Sequence, residues 1–241
     1  MTDPLAPLLD LPGVAAAVEA ARDAVAEVHR HPANRRGWPT TAAEASVRAA
    51  RASAVLDGGA AEIPSDGSVS DPLLAGSLRI AEAIGPLLPT WQKAPLQALA
   101  RLHVLAAADL VDSSSLGRPS VSGPRLELLA SLIAGGTSVP APVLVAVVHG
   151  ELLSLAPFGP VTGLIARAAA RLTMIGTGLD TKGLAVPEVA YLRRSAEYRS
   201  ALEGFSAGTP DGVTGWLLFS CSALEAGASE ARSIADSVGA S

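Results

Sequence analysis

The chain of 241 residues contains a single cysteine, Cys221. One cysteine excludes an intramolecular disulfide and any metal site built from several thiolates. Because Cys221 lies in the apolar stretch WLLFSCSAL, we expect a small core residue rather than a reactive thiol. The four histidines show no metal-binding spacing either. The sequence therefore predicts neither a metal site nor a cofactor.

Aromatic residues are also scarce, at 3% of the chain, although apolar residues make up 49% of it. The core must therefore be built from Leu, Val, Ile and Ala, of which Ala and Leu lead the helix propensities. No segment alternates apolar and polar residues as a half-buried strand does. We expect an all-α fold of about nine helices.

A dense basic stretch is missing as well. The chain has 18 basic and 23 acidic residues, for a net charge of -5. Nucleic-acid binding requires a basic surface that neutralises phosphates. The densest cationic stretch, HRHPANRR at 29–36, is interpreted as a solvated helix end. We expect no nucleic-acid partner.

Long uninterrupted apolar runs are missing too. The longest uncharged run, residues 128–150, is broken by two glycines and two prolines, so we expect no membrane span. The first residues, MTDPLAPLLDLPG, are acidic and contain prolines, unlike a secretory signal. These features predict a cytoplasmic protein.

Proline and glycine punctuate the helical segments. Gly58 and Gly59 are predicted to end one helix, and Gly85-Pro86 to stop the next. Pro95 is predicted to open the helix that follows.

The stretch 149–167, HGELLSLAPFGPVTGLIAR, joins two helical segments through a short turn. Gly159 and Gly163 would let a backbone approach an anion at a helix start. Pro160, however, lacks an N–H, and the β-branched Val161 is ill-suited to positive φ. Thr162 is predicted to cap the second helix by accepting an N–H from its first turn. The simplest interpretation is a tight turn between helices.

This turn has almost no side chain able to do chemistry. Between Ala156 and Arg167 there is no His, Asp, Glu, Lys, Tyr or Cys, so no general base is available. Thr162 supplies the only side-chain oxygen for a metal ion. Loss of one acid–base group alone typically costs about 10²–10⁴-fold in rate.

Residues 145–167 resemble the core of the Fic (Fido) family, most members of which transfer AMP from ATP to a target hydroxyl. The family signature reads H-P-F-x-[DE]-G-N-G-R-x-x-R, and Pro157, Phe158, Gly163 and Arg167 match it in register. The flanking stretches LHVLAAADL, LGRP and SAEYRSALEGFSAGTPDGVTGWLLF also resemble family segments. Likewise EASVRAARASAVLDGG resembles the family's inhibitory helix. The resemblance covers roughly residues 40–225.

The sequence departs from this signature at the positions that carry the chemistry. Ala156 stands at the position of the catalytic His, and Pro160 at that of the acidic metal ligand. Val161 and Thr162 replace Gly and Asn, and Leu164 replaces the first Arg. The resemblance therefore implies that no catalytic residue is left.

The resemblance also implies a domain organisation. We expect an N-terminal helix in residues 1–40, a single Fic-like helical domain in 41–225 and a C-terminal helix end in 226–241. The domain would include an inhibitory-type helix at 41–57. A vestigial β-hairpin is expected at 136–140, where we place the family's target-clamping flap.

Two remnants of functional sites follow from the same comparison. Gly159, Thr162, Gly163 and Arg167 would remain from an anion or nucleotide site, and Ser53, Asp57 and Gly58 from the inhibitory helix. In the family, the inhibitory Glu pairs with the second Arg of the signature. We therefore predict an ion pair, bidentate if Asp can reach, between Asp57 and Arg167.

These features favour a catalytically inactive Fic-like protein that binds a partner protein or, weakly, a nucleotide. An active transferase that uses His149, Glu151 or Arg167 is the alternative. An oxidoreductase has less support, because GTG at 176–178 is only a fragment of a dinucleotide-binding fingerprint. A homodimer, whose apolar faces would account for the high Ala and Leu content, is a further possibility.

Overall fold

The computed structural model describes residues 3–239, which form eleven α-helices and no β-strand. The helices are α1 (Val14–Arg30), α2 (Pro32–Arg36), α3 (Trp38–Leu56), α4 (Pro72–Lys93), α5 (Pro95–Ala107), α6 (Pro124–Ser131), α7 (Ala141–Leu155), α8 (Thr162–Gly176), α9 (Pro187–Arg193), α10 (Ser195–Ala207) and α11 (Pro210–Gly239). Short 3-10 turns occur at Ala6–Asp10 and Gly159–Val161, and a π turn at Leu132–Gly136. The predicted all-α fold is confirmed.

Helix α1 packs on α11 through the apolar stripe that its sequence predicts. Its buried side chains recur every three or four residues and form one stripe that packs on α11. These side chains are Val14, Val18, Ala21, Val25 and Val28.

The centre of the fold is the pair α7 and α8, which pack against each other and are buried on most sides. Helix α8 also contacts α3, α4 and α5. A helix that is apolar all round must lie inside the molecule, and the sequence APVLVAVVHGELLSL of α7 fits that position. The turn at 156–161 between the two helices is therefore anchored at both ends by the core.

The few aromatic residues are concentrated beside α7. Five of the eight pack into one cluster with His149, formed with side chains from α9, α10 and α11. They are Tyr191, Tyr198, Phe205, Trp216 and Phe219. The indole Nε1 of Trp216 donates to the carbonyl of Ala146 at 2.8 Å, which satisfies its buried N–H.

The expected number of nine helices is too low for residues 3–239. The cationic stretch at 29–36 contains the additional short helix α2. The segment after Pro187 is divided into α9 and α10, because Arg194 (φ -114°, ψ 39°) leaves the helical region.

The predicted stop at Gly85-Pro86 is also wrong, because α4 continues to Lys93. Pro86 and Pro89 lie on the exposed side of α4. The carbonyls that lose a partner there, those of Glu82 and Gly85, belong to exposed residues and can bond to water. Burial of the opposite side of the helix outweighs the two missing bonds.

The vestigial hairpin predicted at 136–140 does not form, since the described residues contain no strand. Gly135, inside the π turn, has a φ of 106°, and the residues that follow the turn are held by Asp3. The Asp3 carboxylate accepts from the Ser138 N–H at 2.7 Å and from the Thr137 hydroxyl at 2.9 Å. The Ser138 N–H first, then the Leu5 N–H and the Thr137 hydroxyl, lower the pKa of Asp3 to about 2. The Ser138 N–H, which a hairpin could have used to pair two strands, instead helps to fix the N-terminal segment through Asp3.

The predicted domain boundaries remain predictions. The boundary at 40/41 falls inside α3, and the boundary at 225/226 falls inside α11. Residues 240 and 241 of the expected C-terminal helix end lie outside the described residues. Within 3–239, no helix combines the length and apolar character that crossing a bilayer requires.

Helix α4 provides a test of close packing, because it contains two glycines in different surroundings. A Cβ on Gly76 would lie 3.0 Å from the carbonyl carbon of Ala106 on α5, whereas a Cβ on Gly85 would meet nothing within 4 Å. We expect Gly76→Ala to lower the free energy of unfolding by about 1–3 kcal/mol through overpacking. Gly85→Ala should change it by less than about 1 kcal/mol, because the gain in helix propensity is offset by contact of the new Cβ with the ring of Pro86. Urea unfolding followed by circular dichroism measures both, and equal effects would contradict the α4–α5 contact.

Candidate functional site

The turn between α7 and α8 begins with an unusual backbone conformation at Ala156. Its φ and ψ are both 47°, and it is the only non-glycine residue with positive φ among the described residues. Its N–H donates to the carbonyl of Leu152, which ends α7 in a left-handed cap. An L-residue pays about 1–2 kcal/mol for this conformation. The side chain at this position is a methyl group and can neither accept nor donate a proton.

The turn is held in place by hydrogen bonds to its own backbone. Thr162 does not cap α8 as predicted; its Oγ1 accepts the N–H of Phe158 at 3.1 Å. The carbonyl of Pro157 accepts from the Ser120 N–H at 2.7 Å and from the Ser120 hydroxyl at 3.1 Å. Thr162 cannot cap α8 because it is the first helical residue rather than the residue before the helix.

Arg167 lies one turn into α8, with 3% of its surface exposed. Its Nε donates to the Ser53 hydroxyl at 2.6 Å, and its Nη2 donates to the Ser53 carbonyl at 3.1 Å. The same Nη2 lies 2.8 Å from Oδ2 of Asp57. The predicted Asp57–Arg167 ion pair is therefore confirmed. The contact falls on Nη2, which also donates to the Ser53 carbonyl, while Nε donates to the Ser53 hydroxyl.

Gly163 makes room for this ion pair. A Cβ at Gly163 would lie 2.5 Å from Oδ1 of Asp57 and 2.8 Å from its carboxylate carbon, too close for any real contact. The Asp57 carboxylate thus rests on the first turn of α8, where free N–H groups and the helix dipole favour a negative charge. The two predicted remnants come together here: Ser53 and Asp57 from the end of α3, and Gly163 and Arg167 from α8. The other members lie beside them in the chain, with Gly58 following Asp57 at a φ of 91° and Gly159 inside the turn at 55°.

A buried polar chain through Tyr198 and His149 continues from Arg167. Burial lowers the pKa of Arg167, but Tyr198 and Asp57 raise it by more, so the guanidinium stays charged. Burial raises the pKa of Tyr198 to about 12. The Tyr198 hydroxyl lies 2.8 Å from Nε2 of His149. Burial, and after it the charge of Arg167, lower the pKa of His149 to about 3.

The groups suggested for an alternative transferase lie elsewhere. His149 is 1% exposed and faces the aromatic cluster, roughly 10 Å of helix rise before Ala156. Glu151 is bound by Arg125, whose Nε and Nη2 donate to its two carboxylate oxygens at 2.6 and 2.9 Å. Of the three candidates, only Arg167 lies beside the turn.

Arg171 is a second buried arginine of α8, and no sequence motif pointed to it. It lies one turn beyond Arg167, and its Nη2 donates to Glu188 Oε2 and to the Ala185 carbonyl, both at 3.0 Å. It therefore ties α8 to the segment before α9. Its spacing of four residues from Arg167 in an apolar helix was the available signal.

The comparisons with known proteins agree with this geometry at the level of fold. A Fic family protein from Desulfovibrio desulfuricans G20 is similar with a TM-score of 0.66 and 20% identity, over 92% of this chain and 74% of the other. Fic-1 from C. elegans is similar with a TM-score of 0.66 and 15% identity, over 95% and 74% respectively. No family model and no curated protein matches the sequence.

The fold follows from the likeness to solved structures. The chain has the Fic fold, as the residues around the turn predicted. The likeness extends over more than nine-tenths of the chain, well beyond the turn that carries the sequence resemblance.

Gly163 and Asp57 provide a test of the ion pair. We expect Gly163→Ala to lower the free energy of unfolding by about 1–3 kcal/mol, because the new methyl group displaces the Asp57 carboxylate. In an Asp57→Ala background the same change should be neutral or stabilising, since only helix propensity remains. Urea unfolding of the four proteins of this double-mutant cycle measures the coupling. Additive effects would mean that the carboxylate does not rest on Gly163.

His149 provides a test of the buried polar chain. Its pKa of about 3 in the folded protein lies below the ordinary value of 6.5, so on acidification the unfolded chain takes up the proton first. The free energy of unfolding should therefore fall as the pH drops from 6.5 towards about 3. His149→Gln keeps a polar partner for Tyr198 but cannot titrate, so the wild type should lose stability relative to this variant. If the free energies of unfolding of the two proteins ran parallel across this range, the pKa of His149 in the folded protein would not be lowered.

Proposed function

We propose that the chain is a Fic-fold protein without group-transfer activity that acts by binding a partner protein. The observation that carries this proposal is the Asp57 carboxylate resting on the first turn of α8, 2.8 Å from Arg167. An anion such as a nucleotide phosphate would need the same helix start and the same guanidinium. The protein's own carboxylate lies against both.

The chemistry of the turn supports the same proposal. Transfer of a phosphoryl-type group needs a base for the hydroxyl, a cation and a phosphate clamp. The corresponding positions are Ala156, Pro160 and Leu164. None of these side chains has a polar atom, so three separate contributions are missing.

An active transferase remains the alternative, and one residue favours it. Arg167 is a charged guanidinium next to a helix start, which is the setting that phosphate groups prefer. Weak nucleotide binding would follow if Asp57 moved away.

Incubation with ATP labelled at the α-phosphate, in the presence of Mg²⁺ or Mn²⁺ and a cell lysate, tests catalysis. We expect no labelled protein from the wild type. Ala156→His should stay inactive too, because it restores a base but neither the metal ligand nor the clamp. Labelling by the wild type that disappears in Arg167→Ala would overturn the proposal.

Thermal unfolding in the presence of ATP tests whether the start of α8 can bind a nucleotide. We expect no shift for the wild type at millimolar ATP, since Asp57 occupies the helix start. Asp57→Ala would gain a shift if the nucleotide site persists beneath the carboxylate. Asp66→Ala, on the exposed loop before α4, is the matched control. A wild-type shift equal to that of Asp57→Ala would mean that Asp57 does not block the site.

A further inference from the structure

A pocket lies beside the turn, between the first turns of α5 and α6. Its volume is about 310 Å³. Three buried side chains form its floor, Leu99, Leu126 and Phe158. Leu96, which is 41% exposed, and Pro119 form part of the rim.

The pocket is large enough for a small ligand and apolar enough to favour one. It has roughly twice the volume of an engineered apolar cavity that binds benzene, and it falls at the lower end of natural ligand pockets. Behind the floor, the ring of His103 lies 5.0 Å from that of Phe158. Burial lowers the pKa of His103, so a neutral imidazole backs the floor. A two-ring aromatic group would fill the space and replace the water in it.

The rim of the pocket favours a ligand of positive charge. Glu127 is the only charged side chain that lines the pocket, and no cationic side chain among the described residues pairs with it. Gln97 and Ser122 add neutral hydrogen-bonding groups. The chain as a whole carries a net charge of -5. An unpaired carboxylate at the mouth of an apolar pocket favours a cation and opposes an anion.

We propose that this pocket binds a small aromatic amine, with two fused rings against Phe158 and a protonated amino group at Glu127. The proposal is independent of the proposed function, because it involves neither Asp57 nor Arg167. It assigns a ligand class to a pocket that the proposed function does not use.

Ligand-observed saturation-transfer NMR with the full chain tests the charge preference. The probes are tryptamine, indole and indole-3-acetate, which share the ring system and differ in charge. We expect saturable binding of tryptamine, weaker binding of indole and the weakest binding of indole-3-acetate. Glu127→Gln should weaken tryptamine by about two- to fivefold, as for an exposed ion pair, and leave indole unchanged. Glu203→Gln on α10 is the matched control and should change nothing.

Ala100→Phe tests the location, because Ala100 lines the pocket and a phenyl ring would fill it. Binding of tryptamine and indole should be lost while circular dichroism shows a folded helical protein. Should this variant fail to fold, Leu96→Ser on the exposed rim provides the same test and should weaken both ligands severalfold. The proposal is overturned if tryptamine does not saturate, if it binds a folded pocket variant as well as the wild type, or if indole-3-acetate binds as tightly.

Discussion

The structure around the turn depends on one constraint: a guanidinium buried inside a helical core must have its charge balanced. Arg167 is 3% exposed, and an unpaired charge there would cost several kcal/mol. Ser53 and Asp57 at the end of α3 supply the hydrogen bonds and the carboxylate. The end of α3 is thereby fixed against the start of α8. Because Gly163 has no side chain, the Asp57 carboxylate can approach the first turn of α8.

The same ion pair decides what the helix start can bind. A helix N-terminus attracts anions through its free N–H groups and its dipole. Here the anion is part of the chain, so an external phosphate competes with an intramolecular group whose effective concentration is high. This competition, together with the apolar residues of the turn, is why the proposed function is binding rather than transfer.

The shape of the turn is held by contacts that involve no acid–base or metal-binding side chain. Ala156 adopts a left-handed conformation that ends α7, and Thr162 and Ser120 satisfy the polar backbone groups of the turn. These contacts are local and do not require a base or a metal ligand. The stability of the turn and the reactivity of its side chains therefore depend on different atoms.

The sequence by itself determined the helical class, because a core with few aromatics and much Ala and Leu favours helices. It also determined the pairing of Asp57 with Arg167, since the order of the segments matched a known arrangement. Only the tertiary structure decided where backbone groups find their partners. Thr162 bonds to Phe158, and α4 passes through Pro86 because burial on its other side outweighs the lost bonds. Local patterns report what a residue prefers, whereas burial and long-range contacts decide which preference is met.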